Sequence, residues 1–249
     1  EGEIMQAVLS KEVTFKGNYD PLTLYRALRL INPSPYMFYM SFDKFNVIGA
    51  SPEILVQQQN DKVTIRPIAG TRKRGPNDSE DLANKIDLLQ DDKEKAEHMM
   101  LVDLARNDLS KVSETGTVQV DEMMVVEKYS HVMHMTSNVI GEKKPSATSV
   151  DCLKAALPAG TLSGAPKIRA MEILSAHENR IRGIYGGSVG YIGFNGTLDT
   201  AIVIRTAIHT KDSVKVGVGG GIVYDSIPKN EWHETESKLA VFREALKYK

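Results

Sequence analysis

Lys93–Asp108, KEKAEHMMLVDLARND, lies in a segment without Gly or Pro that runs from about Ser79 to Val112. Apolar residues at Leu82, Ile86, Leu89, Ala96, Met100 and Leu104 recur by threes, fours and a seven, which predicts one long amphipathic helix. Glu94 and Glu97 are three apart and so share a face of that helix. The same spacing returns near the C-terminus in NEWHETESKLAVFREALK, where Glu231 and Glu234 open a second amphipathic helix. Four carboxylates in two such pairs offer only oxygen donors, the set that suits a hard divalent cation keeping several waters, Mg2+ above all. Alone, each pair would read as solvated surface charge, because such pairs are common on helix faces. The rest of the chain decides between the two readings.

The 249 residues are enough for one large domain or two small ones with a sizeable core. With 31 basic against 32 acidic residues the net charge is −1, which argues against a nucleic-acid binder held by bulk charge. A single cysteine, Cys152, excludes an internal disulfide framework and fits a reducing, cytoplasmic setting. No apolar run approaches the ~18 residues of a membrane span. The N-terminus, EGEIMQAVLSKE, has neither the basic start nor the apolar core of a signal peptide, and it lacks Met, as a fragment or processed chain would.

Around the two helices the pattern is mostly β. Strands are expected at Ile4–Phe15, Ile54–Gln58 and Lys62–Pro67, with a hairpin from Tyr36–Asp43 and Phe45–Ala50 and a short helix from Pro21 to Leu30. Ile68–Gly75, IAGTRKRG, reads as a small-residue turn followed by three cations. Such a loop is usually solvated surface, but beside a site for an anion it could steer the ligand in. Gly116–Met124 and Val126–Ile140 read as strands, the second too β-branched and aromatic for a helix. His131 and His134 would face opposite sides of that strand and make no joint metal site. In Leu157–Lys167, LPAGTLSGAPK, a loop turns into a helix, with Ser163 placed to cap it and Pro166 in its first turn. A Gly-rich loop feeding a helix suits anions, although no nucleotide fingerprint is present.

From Gly186 onward a β meander is expected: Gly187–Phe194, Asp199–Ile208 and Ser213–Gly219, with Asn195-Gly196 as a hairpin turn. Arg205 interrupts the near-continuous apolar run TAIVIRTAI. A guanidinium there is expensive to bury unpaired, so an internal carboxylate or a ligand anion should meet it. Gly219-Gly220-Gly221 lets a backbone approach closely. With no internal repeat and no long linker, residues 1–249 read as one domain.

PIAGTRKRG, EKAEHMMLVDLARNDL, VEKYSHVMH, LPAGTLSGAPK, YGGSVGYIGFNGTLDTAIVIRTA, GGGIVYDS and EWHETESKLA occur in one order, from about Gln6 to the C-terminus. Together they resemble the chorismate-utilising enzymes, and within them component I of anthranilate synthase. The resemblance implies an α+β fold, two packed antiparallel β-sheets with outer helices, and a site deep between the sheets. It implies Mg2+ bound by Glu97 and Glu234, with Glu94 and Glu231 holding its waters. Tyr185, Arg205, Thr161 and the backbone around Gly219, Gly220 and Gly221 match the grip on the enolpyruvyl carboxylate of chorismate. Lys238 matches a lysine close to the metal and carboxylate.

Glu53 of SPE occupies the general-acid position, where burial should raise its pKa so that it holds a proton at neutral pH. Gln6 stands where the water-adding isochorismate and salicylate synthases carry a lysine base. Glutamine cannot deprotonate water, so ammonia is the expected nucleophile. Ala69 stands where aminodeoxychorismate synthases commonly carry the lysine of PIKGT. His134 matches the histidine linked to elimination of pyruvate. The implied reaction is conversion of chorismate and ammonia to anthranilate and pyruvate through aminodeoxyisochorismate, the first step of tryptophan biosynthesis. The alternatives are aminodeoxyisochorismate or aminodeoxychorismate synthesis, or a truncated chorismate-binding domain without turnover. Full-length component I chains are about twice as long and carry a tryptophan pocket with an LLES-like motif, absent here. The chain is therefore expected to be the catalytic region, supplied with ammonia by a separate glutamine amidotransferase, component II.

Overall fold

The computed structural model describes residues 2–129 and 132–248; His131 therefore lies outside the described residues. In chain order the elements are β1 Gln6–Lys16, α1 Pro21–Ile31, β2 Tyr36–Ser41, β3 Asn46–Ser51, β4 Ile54–Gln59, β5 Lys62–Ile65, β6 Ile68–Lys73, α2 Asp78–Gln90 and α3 Asp92–Ser110. There follow β7 Gln119–Lys128, β8 Val132–Glu142, α4 Ser149–Ala156, a 3-10 turn Gly160–Leu162, β9 Gly164–Ala165, α5 Lys167–His177, β10 Ser188–Ile192, β11 Leu198–Ile202, β12 Thr206–Thr210, β13 Ser213–Ile222 and α6 Pro228–Ala245. This is the expected α+β class with two antiparallel sheets. The chain divides into two compact units, Glu1–Glu53 with Thr161–Val189 and Ala201–Lys249, and Ile54–Gly160 with Gly190–Thr200.

The first unit carries the six-stranded sheet, in the order β2-β3-β12-β13-β1-β9. Its axis is the pairing of β1 with β13, which sets Ser10 opposite Gly219 and Val8 opposite Gly221. Alternate residues Val214, Val216 and Val218 enter a core with Leu24 and Leu28 of α1 and Leu239 and Phe242 of α6. Each such side chain stabilises the unit by about 1.5–3 kcal/mol. Asp20 fixes the start of α1 by accepting from the Thr23 N–H at 2.6 Å, and Pro21 fills the first turn.

The second unit carries the seven-stranded sheet, β10-β11-β4-β5-β8-β6 with β7 also on β8. Four expectations are corrected here. The long helix is two helices: Asp91 ends α2, and its Oδ1 accepts from Lys93 N and Glu94 N at 3.0 and 3.1 Å, starting α3. An aspartate that captures backbone donors favours a cap over a helix interior. The buried side of α3 is His98, Leu101, Val102, Ala105 and Leu109, while Leu82 and Ile86 on the expected stripe are 55% and 45% exposed. Ile68–Lys73 is not a turn but β6, which pairs with β8 through a bulge at Gly70 (φ 67°) that brings Thr71 opposite His134. Val126–Ile140 is two strands, its first residues completing β7 and Val132 opening β8.

Two further departures lie in the first unit. The cap of α5 is Pro166, which makes no side-chain bond, while Ser163 is buried and its carbonyl accepts from Val8 N at 3.0 Å. Asp199–Ile208 breaks at Val203–Arg205, where Arg205 takes a left-handed φ of 49° before β12 begins. A residue other than Gly rarely adopts that conformation.

Candidate active site

Within the first unit the break at Arg205 gathers most of the residues singled out above. The carbonyl of Arg205 accepts from Ala50 N at 3.0 Å, which fixes the turn against the end of β3. Ser51 Oγ donates to Ile202 O at 2.6 Å, and Ile202 N donates to Glu53 O at 3.0 Å, so the SPE segment is tied to the same turn. Glu53 is 9% exposed and accepts from Thr161 Oγ1 at 2.9 Å. Burial pushes its carboxyl up to about 7, against the opposing pull of the Thr161 hydrogen bond and of the Arg205 and Lys238 charges. A carboxyl poised there can hold and release a proton near neutral pH.

Burial also draws the Arg205 guanidinium below its usual range, although Tyr185, Glu234 and Glu53 oppose the shift. Among the described residues, neither the Arg205 guanidinium nor the Tyr185 hydroxyl makes a hydrogen bond, and Arg205 has no ion pair. Burial pushes Tyr185 up to about 12, so it stays a neutral donor. Its ring lies along β13 where only glycine leaves room: a Cβ on Gly217 would come within 2.8 Å of the ring, and one on Gly219 within 2.7 Å of the hydroxyl. A desolvated guanidinium and a phenol lacking protein partners are what a carboxylate ligand would satisfy.

Beside them, α6 presents its acidic pair. Lys238 Nζ donates to Glu234 Oε1 at 2.5 Å and to Gly219 O at 2.8 Å, joining the helix to the glycine run. Glu231 Oε2 lies 3.8 Å from the point a Cβ on Gly220 would occupy. A Cβ on Gly221 would meet the Gln6 amide nitrogen at 2.6 Å, so Gln6 is buried directly against this glycine.

The second unit holds Glu94, Glu97 and His134. His98 Nε2 meets Ser137 Oγ at 2.6 Å and so pins α3 on β8; burial pulls His98 down to about 4, leaving it neutral. Arg72 reaches Asp87, Asp91 and Glu94 at 2.6, 2.8 and 3.1 Å, and Arg74 binds the buried Asp81. Two of the three cations expected to steer a ligand are thus engaged in ion pairs. His134 Nδ1 lies 3.0 Å from both the Gly70 carbonyl and Thr71 Oγ1. A carbonyl only accepts, so this contact places a proton on Nδ1.

Four carboxylates with oxygen donors fit Mg2+ by chemistry, and Glu94 and Glu234 show their capacity for a positive partner by each holding one now. Among the described residues no group of three or more His, Cys, Asp or Glu side chains is arranged to hold a metal ion. Sequence reasoning missed Thr71, which meets His134, gave Arg72 a steering role where it instead holds Glu94, and missed Glu178 and Arg182. The only sequence cue to the last two was an i,i+4 acid–base spacing at the end of a helix.

Comparison with known proteins follows the same lines. The sequence pattern of chorismate binding enzymes matches residues 1–244. Component 1 of anthranilate synthase from Aquifex aeolicus is 53% identical over 248 residues, covering 99% of this chain and 50% of that protein. The crystal structure of anthranilate synthase component I from Streptococcus pneumoniae TIGR4 matches with a TM-score of 0.90 at 47% identity, over 97% of this chain and 54% of that one. MenF, the menaquinone-specific isochorismate synthase from Escherichia coli, also matches with a TM-score of 0.90 but at 27% identity, over 99% of this chain and 57% of that one. The chain spans about half the length of the curated relatives it matches. Among the described residues no helix is long and apolar enough to cross a membrane.

Proposed function

The chain belongs to the family of chorismate-binding enzymes, and on that premise we propose that it converts chorismate and ammonia to anthranilate and pyruvate through aminodeoxyisochorismate, as the first step of tryptophan biosynthesis. The observation that carries the reading is the pairing of Arg205, a desolvated guanidinium with no ion pair among the described residues, with Glu53, a carboxyl raised to about 7. One is an anion site and the other a proton donor, and this substrate brings an enolpyruvyl carboxylate and a hydroxyl that must leave protonated.

Arg205, Tyr185 and Thr161 grip the enolpyruvyl carboxylate, with the backbone of Gly219 to Gly221 beside it. Glu53 protonates the departing C4 hydroxyl while ammonia adds at C2. Gln6 fills the position of a water-activating base but has no basic lone pair, so water is not the nucleophile. Ala69 removes the lysine that would attack the ring. His134 then accepts the C2 proton as pyruvate leaves and the ring becomes aromatic. Glu97 and Glu234 would hold Mg2+ directly, Glu94 and Glu231 would hold its waters, and Lys238 would stay close to both metal and carboxylate. When bound, the ion would offset the charge of the ring carboxylate. We read the two compact units as one catalytic domain acting in the cytoplasm, with ammonia supplied by a glutamine amidotransferase, component II.

A second reading, chorismate binding without turnover, is favoured by the chain spanning about half the length of its relatives. Purified chain with chorismate, Mg2+ and an ammonium salt at alkaline pH separates the two. Anthranilate fluorescence supports the first reading, and chorismate binding without product supports the second. Isochorismate or salicylate found by mass spectrometry would overturn the argument from Gln6.

A further inference from the structure

Between α5 and β10, the segment 178–187 carries Tyr185 on an ion pair that the mechanism does not use. The Glu178 side chain is 7% exposed and accepts four hydrogen bonds. Arg182 Nε and Nη2 each donate at 2.7 Å, Ser10 N donates at 2.8 Å and Ser10 Oγ at 2.9 Å. Arg180 Nη2 donates to the same Ser10 Oγ at 2.7 Å. The rest of the Arg182 fork is also engaged: Nη1 donates to Leu162 O at 2.6 Å and Nη2 to Val8 O at 2.7 Å. One guanidinium thus binds three segments, namely β1 at Val8, the 3-10 turn at Leu162, and its own loop.

Each of those segments bears on a residue assigned above to the substrate. Leu162 follows Thr161, which donates to Glu53. Tyr185 N donates to Arg182 O at 3.2 Å, and Gly186 N to Val203 O at 2.9 Å, so the tyrosine is held two residues from Arg205 at one end and by the ion pair at the other. Ser10 is the β1 partner of Gly219, over which the Tyr185 hydroxyl lies. Lysine could carry the charge of Arg182 but not its planar fork, which here makes four bonds in fixed directions.

We propose that the Arg182–Glu178 pair is the positioning device of the carboxylate grip, setting Tyr185 and the Thr161 turn together; its effect on turnover rests on the reading given under Proposed function. Neither residue touches the reacting atoms. Arg182→Lys and the milder Glu178→Gln test it through two measurements. In hydrogen–deuterium exchange, segments 160–163 and 183–187 are expected to lose protection together by tenfold or more in Arg182→Lys, while the β2–β3 hairpin keeps its own. In ammonia-dependent turnover, KM for chorismate is expected to rise about tenfold in Arg182→Lys and severalfold in Glu178→Gln, with kcat within threefold of wild type. A core variant of matched melting temperature, Leu28→Ala, is expected to leave KM unchanged.

Exchange confined to 183–187, or a KM rise equalled by Leu28→Ala, overturns the proposal. A wild-type chain that does not bind chorismate overturns the proposed function instead, and the exchange comparison still decides whether the pair couples the two segments.

Discussion

Glu53 shows how one buried side chain trades stability for chemistry. Its carboxyl moves from 4.5 to about 7 because burial penalises the ion. The penalty is absent below pH 4.5, where folded and unfolded chains both hold the proton, and it grows until the pH passes 7. Above that the ionised group costs about 3 kcal/mol. Glu53→Gln removes that cost, so above pH 7 its urea midpoint should exceed that of wild type, while turnover falls at least 100-fold for want of the acid. Rate per unit of free ammonia should be flat below pH 7 and fall about tenfold per unit above it, a limb absent from the variant. Arg205 makes the same trade. Replacing a desolvated guanidinium by Met should raise the chorismate KM by 100-fold or more without lowering the melting temperature, because the charge had no protein partner among the described residues to lose.

At the scale of elements, Asp91 does work that its sequence position concealed. It ends α2, starts α3 and binds Arg72, which in turn holds Glu94. Asp91→Ala should cost about 1–2 kcal/mol in urea unfolding through the lost cap, and should release Arg72 to Asp87 and Glu94 alone. Chain order and motif spacing made most strands and the helical setting of both acidic pairs legible, since alternation and i,i+3 spacing are local. The break at Asp91 was not, because a run free of Gly and Pro conceals a cap made by a side chain. The buried face of α3 was misread for a related reason: His98 and Val102 pack on the sheet while the more apolar-looking Leu82 and Ile86 belong to the other helix and face solvent. β6 was hidden by Gly70, whose bulge looks like a turn until its partner strand is known. Arg205 was flagged as expensive to bury, and it is desolvated, yet its left-handed backbone could not be read from a β-branched run.

For the molecule as a whole, the proposed metal role requires the acidic pairs of α3 and α6 to act on one ion. Glu234 now shares its charge with Lys238 at 2.5 Å, and Glu94 with Arg72 at 3.1 Å. A divalent cation must therefore compete with resident cations, which weakens its intrinsic affinity but keeps the carboxylates ordered. Binding that favours the folded chain stabilises it by about 2.7 kcal/mol at 100 times the Kd. For a chain of this size that corresponds to roughly 5–10 °C in melting temperature. Mg2+ should therefore raise the melting temperature and EDTA should reverse the rise. If Glu97 and Glu234 both hold the ion, Glu97→Gln and Glu234→Gln should each abolish the shift, and the double variant should do no more than either alone. Calorimetric titration with Mg2+ checks the same point without substrate. Half-sized, additive losses in the two variants would mean two weak, separate ion sites, and the proposed shared cage would have to be abandoned.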